Sequence, residues 1–223
     1  MNYPRYEFIL RRLATILSVA ILTLSVIASL TGILIAFYYE PTAGGAYDSL
    51  RAIATEVPNG WLILSIHNLA GNSAIVVALI QLVVMFLGRQ FRTSWLTSWI
   101  SGILLTLTTI GLSWTAMILN WSQEGFWRLQ IELGTIEAIP LIGSQLRDIL
   151  TGGAVSTVTV EHLYTIHSYI LSVGAIVLAV IHLGGLLLQE WEAKHLQRDL
   201  AEILSVSEVS EPQKSVVTRS SGR

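Results

Sequence analysis

The sequence predicts an all-α integral membrane protein in which four long helices cross the bilayer as a bundle. Charged residues make up only 13% of the chain and mean hydropathy is +0.62, whereas soluble domains contain about 25% charged residues. Apolar segments occupy four stretches, 13–38, 60–87, 98–119 and 163–188. Each is longer than the roughly 20 residues that a helix needs to cross the hydrocarbon core.

The segments outside the four spans complete the predicted organisation. The loop 120–162 between the third and fourth spans contains aromatic and amphipathic stretches, which predict short helices lying at the membrane interface. After residue 188 the chain turns polar. We therefore expect one four-helix domain over 1–188 and a polar tail over 189–223, with a short helical extension followed by a flexible end.

Charge predicts the orientation of the spans. Five arginines flank the spans on the side of the two termini: Arg5, Arg11, Arg12, Arg89 and Arg92. The opposite side, called the loop side below, holds the loops 39–59 and 120–162, with three arginines and eight acidic residues. The positive-inside rule then places both termini on the cytoplasmic or stromal side. The second and fourth spans run in the same direction, starting at the loop side.

Polar residues recur at matching positions in these two parallel spans. His67 lies early in the second span and Gln81 follows fourteen positions later; His167 lies early in the fourth and His182 follows fifteen positions later. In α-helices these separations are about 21 and 22 Å along the axis, with rotations of about −40° and +60°. Each pair therefore stays broadly on one face. We expect His67 opposite His167 at one depth, and Gln81 opposite His182 at a second.

Two opposed imidazoles between parallel helices are typical of a bis-histidine b-type haem site. The plainer alternative is that these side chains hydrogen-bond between helices. Ionisable groups inside a membrane tend to mark function, and no carboxylate or thiolate accompanies the histidines in the spans, which disfavours a bare metal ion. The chain has no cysteine, which excludes disulfides, iron–sulfur ligation and thioether-linked haem.

Small residues recur on the other two spans with the same period. Ser18 and Gly32 are fourteen positions apart on the first span, and Gly102 and Ala116 are fourteen apart on the third. Small side chains let a flat macrocycle approach a helix backbone, although ordinary helix packing uses them too. Taken with the histidines, they are predicted to flank haem at both depths.

Longer motifs carry a resemblance to a known family. They are TGILIAFYYEPT (31–42), TEVPNGWLILSIHN (55–68), NWSQEGFW (120–127), EAIPLIGSQL (137–146) and LYTIHSYI (163–170). With the histidine spacings, they resemble cytochrome b6, the amino-terminal, four-helix half of the cytochrome b family. The resemblance implies membrane electron transfer between quinol and a redox partner. It also implies that His67 and His167 ligate one haem and that His182 ligates a second.

The sequence departs from that family pattern at several positions. Gln81 stands where the second haem should find its other ligand, and glutamine is a poor axial ligand. Ile16 replaces the cysteine that anchors the family's extra haem, and Leu64, Asn68 and Val84 replace arginines. The glutamate of the family's quinol-oxidation site lies in a separate subunit. This chain alone is therefore not expected to be a complete enzyme, and no catalytic residue is assigned.

Three interpretations remain open from the sequence. The protein is a one-haem electron carrier or quinone-linked redox subunit; or a second haem binds His182 with Gln81 opposite; or the chain, with or without haem, is an assembly or scaffold subunit. The expected partners are the lipid membrane, a quinone and other subunits of a cytochrome b-type complex, and not nucleic acid. The resemblance suggests a thylakoid or plasma membrane.

Overall fold

Every secondary-structure element is helical in the computed structural model, which describes residues 5–88 and 96–210. The elements are α1 (Arg5–Ala36), α2 (Ala46–Thr55), α3 (Gly60–Leu87), α4 (Leu96–Leu119), α5 (Gln123–Glu137), α6 (Gly143–Thr151), α7 (Thr157–Thr165), a π-helical turn (Ile166–Leu171) and α8 (Ser172–Ser210). Within the described residues, four helical stretches are long and apolar enough to cross a membrane: Phe8–Ala36, Gly60–Leu87, Leu96–Leu119 and Thr157–Val206. The predicted all-α membrane fold is confirmed.

The four spanning helices form a ring in which α3 and α8 lie diagonally opposite each other. Helix α1 packs against both α3 and α8, and α4 packs against the same two helices. Because α3 and α8 also run in the same direction, side chains at matching depths on these two helices point at each other across the centre of the bundle.

Three apolar layers fill the bundle along its axis. The loop-side layer contains Ala46, Ile118, Leu119, Leu129, Leu133, Val160 and Leu163. The central layer contains Ile21, Ala78, Leu105, Ala175 and Ala179. The terminal-side layer contains Ala14, Val84, Met85 and Leu186. His67 and His167 lie between the first two layers, and Gln81 and His182 lie between the last two, so two polar levels alternate with three apolar ones.

The loops are more helical than the sequence predicts. Helices α5 and α6 are the short helices expected between the third and fourth spans, but α2 in the first loop was not expected. At 10 residues, α2 is too short to stand out in hydropathy. Burial of Ala46 and Ile53 stabilises it. The negative charge of Asp48 in its first turn adds a favourable interaction with the positive end of the helix dipole.

The last helix continues well past the predicted end of the fourth span, to Ser210. Glu190 ties its extension to α1, because it accepts a hydrogen bond from Thr15 Oγ1 at 2.7 Å and lies 3.5 Å from Nη1 of Arg12. Residues 211–223 of the predicted polar tail lie outside the described residues, as do Arg89 and Arg92, which were used to predict the orientation.

Tyr39 ties the chain after α1 to the end of α4. Its partly buried phenol donates a hydrogen bond to the Leu119 carbonyl at 2.8 Å. Burial, and then the proximity of Tyr164, raises the Tyr39 pKa above its usual value near 10. The fold thus favours the neutral phenol, so its contribution to stability is full below about pH 10 and is lost as pH rises above that value, where the unfolded tyrosine ionises.

We expect Tyr39→Phe to lower the free energy of unfolding by about 1 kcal/mol near neutral pH, since one buried carbonyl loses its donor. The substitution should also reduce the loss of stability above about pH 10. Thermal denaturation across a pH series measures both effects. Tyr38→Phe is the matched control because the Tyr38 side chain is 59% exposed; equal effects of the two substitutions would contradict the prediction.

Candidate functional site

His67 of α3 and His167 of the π turn face each other across the bundle. Their ring centroids are 6.4 Å apart and their planes are inclined by 56°. An imidazole nitrogen lies about 2 Å from a metal ion that it binds, so an iron held between two imidazoles separates the ring centroids by about 6 Å. The two rings therefore already have the separation of an axial ligand pair.

Hydrogen bonds fix the tautomer of His67. Its Nδ1 lies 2.9 Å from the Ala28 carbonyl of α1 and 3.2 Å from Thr31 Oγ1. A carbonyl can only accept, so Nδ1 carries the proton and Nε2 carries the lone pair. Metal-bound histidines are commonly oriented in this way, by a hydrogen bond from the ring nitrogen that does not bind the metal.

His167 is held in the same tautomer from α4. Its Nδ1 lies 2.8 Å from Thr115 Oγ1. The Thr115 hydroxyl itself donates to the backbone carbonyls of Gly111 or Leu112, at 2.9 and 3.0 Å. The oxygen of Thr115 is therefore the acceptor for the His167 Nδ1 proton. Both facing imidazoles present an unprotonated Nε2, which is the form that ligates iron.

The second polar level is arranged differently. His182 is fully buried and its Nδ1 donates to the Ser98 carbonyl at 3.0 Å, with Ser101 Oγ at 3.2 Å. Its Nε2 accepts a hydrogen bond directly from Gln81 Nε2 at 3.0 Å. Two nitrogens bound to one iron would be about 4 Å apart, and a carboxamide nitrogen has no lone pair to offer. As arranged here, the residues of this level do not fit a haem with two axial ligands.

The predicted small residues have unequal surroundings. A Cβ atom on Gly32 would lie 3.1 Å from Cε1 of His67, and one on Gly102 would lie 2.9 Å from Cε1 of His182. The two glycines therefore make room for the imidazole rings themselves. Ser18 is buried, and its Oγ has no hydrogen-bond partner among the described residues. Ala116 is partly buried beside Thr115.

The hydroxyl partners of the histidines were missed from the sequence, although a signal for them exists. Each lies directly before one of the predicted small residues, in the pairs Thr31–Gly32, Ser101–Gly102 and Thr115–Ala116. The fourth small residue, Ser18, follows Leu17 instead. Leu17 lies on α1, which packs against α3 near Gln81. Because Gln81 has no imidazole Nδ1, no hydroxyl is needed there to orient a ring.

The chain is similar to known proteins over most of its length. Residues 9–190 match the family model described as cytochrome b/b6/petB. Cytochrome b6 of Mastigocladus laminosus is 35% identical over 151 residues, covering 67% of this chain and 70% of that protein. Cytochrome b6 of Auxenochlorella protothecoides is 32% identical over 153 residues, covering 68% and 71%. Cytochrome b6 of Acaryochloris marina is 34% identical over 142 residues, covering 63% and 66%.

The fold is also similar to that of a solved structure. A chain of a hyperthermophilic respiratory Complex III superposes with a TM-score of 0.67 at 23% identity, covering 78% of this chain and 47% of that one. This chain therefore spans about half the length of its structural relative. The family model covers most of the present chain, including the second and third spans, nearly all of the first, the fourth up to residue 190, and both polar levels. The chain belongs to the cytochrome b/b6 family and is a b-type cytochrome of membrane electron transport.

Proposed function

We propose that this chain binds a single b-type haem, with His67 and His167 as the axial ligands, and serves as a one-haem electron-transfer subunit. The observation that carries the proposal is the contrast between the two polar levels. At the first, two imidazoles face each other 6.4 Å apart, each with its Nδ1 proton committed to α1 or α4. At the second, the imidazole Nε2 already accepts a hydrogen bond from Gln81.

Haem, when bound, supplies a one-electron couple, and the residues of the chain set its position. His67 lies seven residues after Gly60, the first residue of α3, so the ligand pair is about 10 Å from the loop-side end of the helix. Ala28 and Thr115 fix the two ring orientations through the Nδ1 protons. Electron exchange is thereby directed to the loop side of the membrane.

The Gln81–His182 level lies fourteen positions further along α3, about 21 Å from the first. With haem at only one level, we infer that the chain alone does not sustain an electron relay across the whole membrane. A partner subunit or another cofactor would have to bridge the distance. Quinol is the candidate donor or acceptor, and other subunits of a cytochrome b-type complex are the candidate partners.

The ratio of haem to protein in the purified chain tests the proposal. We expect one b-type haem per chain, with a reduced-minus-oxidised spectrum typical of bis-histidine ligation. Two b-haems per chain, both reducible by quinol, would contradict the one-haem proposal. Absence of haem would contradict it as well and would favour the assembly or scaffold interpretation.

Protease accessibility of the termini in sealed vesicles tests the proposed cytoplasmic or stromal location of both ends.

Removing the hydrogen bond behind a ligand should weaken haem binding without abolishing it. We expect Thr115→Val to lower haem affinity by roughly 10-fold, because the substitution keeps the size of the side chain but removes the hydroxyl acceptor of His167 Nδ1 and leaves only the Leu112 carbonyl to orient the ring. Haem retention during dilution or titration of the apoprotein measures the change. Thr109→Val is the matched control, since Thr109 is buried on the same helix and bonds the Thr106 carbonyl instead of a histidine. Equal losses in both variants would contradict a specific role for Thr115.

A further inference from the structure

The residues that build the two polar levels share one spacing on three of the four spanning helices. His67 and Gln81 are fourteen positions apart on α3, as are Ser18 and Gly32 on α1 and Gly102 and Ala116 on α4. Only the fourth helix differs, because His167 and His182 are fifteen positions apart. In an uninterrupted α-helix the extra residue would rotate one histidine relative to the other by about 100°.

The structure nevertheless brings both histidines to the same neighbours in register. On α4, Thr115 and Ser101 hydrogen-bond the Nδ1 atoms of His167 and His182. These two hydroxyl residues are fourteen positions apart on a continuous α-helix. An interval of fourteen on one helix thus matches an interval of fifteen on the other, so one residue must be absorbed between His167 and His182.

The π-helical turn lies where that residue has to be absorbed. It spans Ile166–Leu171, and the backbone N–H of Ser172 bonds the His167 carbonyl, five residues earlier. An i→i+5 bond encloses one more residue than the i→i+4 bond of an α-helix. As a result, the side chains of α8 point in the directions that they would have if His167 and His182 were fourteen residues apart in a continuous α-helix. The turn contains no glycine or proline, so the sequence predicts an ordinary helix there.

We propose that the π turn Ile166–Leu171 is a register device, which absorbs one extra residue so that His182 and the helix beyond it face the bundle interior in phase with His167. This role concerns the path of the helix and is independent of whether haem binds. It predicts that removing one residue from the turn restores a continuous α-helix and leaves α8 in place. Adding a residue outside the turn should rotate α8 by about 100°.

A disulfide between α4 and α8 can report the register. A Cβ atom on Gly185 would lie 3.8 Å from Cα of Ser98 and 2.7 Å from its Oγ, which is close enough for a Ser98→Cys/Gly185→Cys pair to form the bond. The chain has no cysteine of its own, so counting free thiols with a maleimide reagent after oxidation gives an unambiguous yield. The readout does not require haem.

The test compares three chains that carry this cysteine pair. The first has no length change, the second lacks Ile170, and the third has an alanine inserted between Val173 and Gly174. Ile170 is chosen because its side chain is 61% exposed on the outside of the turn. We expect the deletion to cross-link as well as the first chain, and the insertion to cross-link at least about tenfold less, because a rotation of about 100° separates the thiols.

A deletion that abolishes the cross-link as completely as the insertion would overturn the register proposal. If the Ile170 deletion does not accumulate in the membrane, deletion of Tyr169 or of Ser168, which also lie within the turn, tests the same point. Failure of all three deletions to accumulate, with normal accumulation of the insertion, would also overturn it. Haem content is measured in parallel, so that failure of the one-haem proposal can be told apart from failure of the register proposal. In the first case the haem-to-protein ratio would differ from one while the cross-linking yields stayed as expected.

Discussion

We expect His67→Ala and His167→Ala each to reduce the haem content of the purified protein to below about a tenth of the unmodified chain. Loss of a residue that merely orients a ligand costs roughly 10- to 100-fold in affinity, and loss of the ligand itself should cost more. The ring centroids of the two histidines are 6.4 Å apart across the bundle. Among the residues that the structure describes, no third His, Cys, Asp or Glu side chain joins them in a group that could hold a metal, so we expect no replacement ligand. Haem extraction and the reduced-minus-oxidised spectrum measure the result.

Two other histidine substitutions serve as controls for this experiment. His195→Ala should leave the haem content unchanged, because that ring makes a tilted contact with Trp191 in the α8 extension, with centroids 4.1 Å apart, far from the ligands along the chain. His182→Ala should also retain haem, although it leaves Gln81 buried without its acceptor and should lower thermal stability. Loss of haem in the His182 variant but not in the His67 variant would reverse the proposed assignment.

The second large effect is a gain of haem. We expect Gln81→His, combined with Leu17→Thr, to raise the ratio from about one haem per chain to about two, because the pair restores two imidazole ligands at the second level. Leu17 lies fourteen positions before Thr31, as Gln81 lies fourteen after His67. The hydroxyl of the Leu17→Thr variant would thus take the place at the second level that Thr31 has at the first.

The single substitutions make this prediction specific. Gln81→His alone should bind the second haem more weakly than the double variant, since the Nδ1 proton would lack the hydroxyl acceptor that each native histidine of the two levels has. Gln81→Asn with Leu17→Thr is the matched control and should stay at one haem. A ratio that remains at one in the Gln81→His/Leu17→Thr chain would show that packing, and not the missing ligand, closes the second level.

Part of this site could be predicted from single residues and their spacing. Burial in a bilayer requires long apolar helices, so the four spans are readable from composition, and an imidazole in such a span is rare enough to indicate function. The facing of His67 and His167 followed from parallel direction and similar depth. The hydroxyl residue before each of three small residues was equally readable but carries meaning only once a histidine is seen to bond it.

Other features depended on how the helices pack. Gln81 and His182 could either flank a haem or hydrogen-bond each other, and the 3.0 Å between their Nε2 atoms decides for the hydrogen bond. This distance joins two helices, so the residue pattern within either helix does not predict it. Likewise, no local sequence pattern predicts helix α2 or the π turn. Helix α2 is stabilised by burial of Ala46 and Ile53. The turn is required by the fixed spacing of the α4 hydroxyl residues that bond His167 and His182.

The sequence by itself determined that the chain is a membrane protein, how many spans it has, its family and the candidate residues for haem ligation. These depend on residue type and on position along the chain. Only the tertiary structure decided that α3 and α8 are diagonal, that the second polar level is closed by a hydrogen bond, and that one turn absorbs an extra residue. The physical reason is that hydropathy and spacing act within a helix, whereas contacts of about 3 Å between helices arise from the packing of all four.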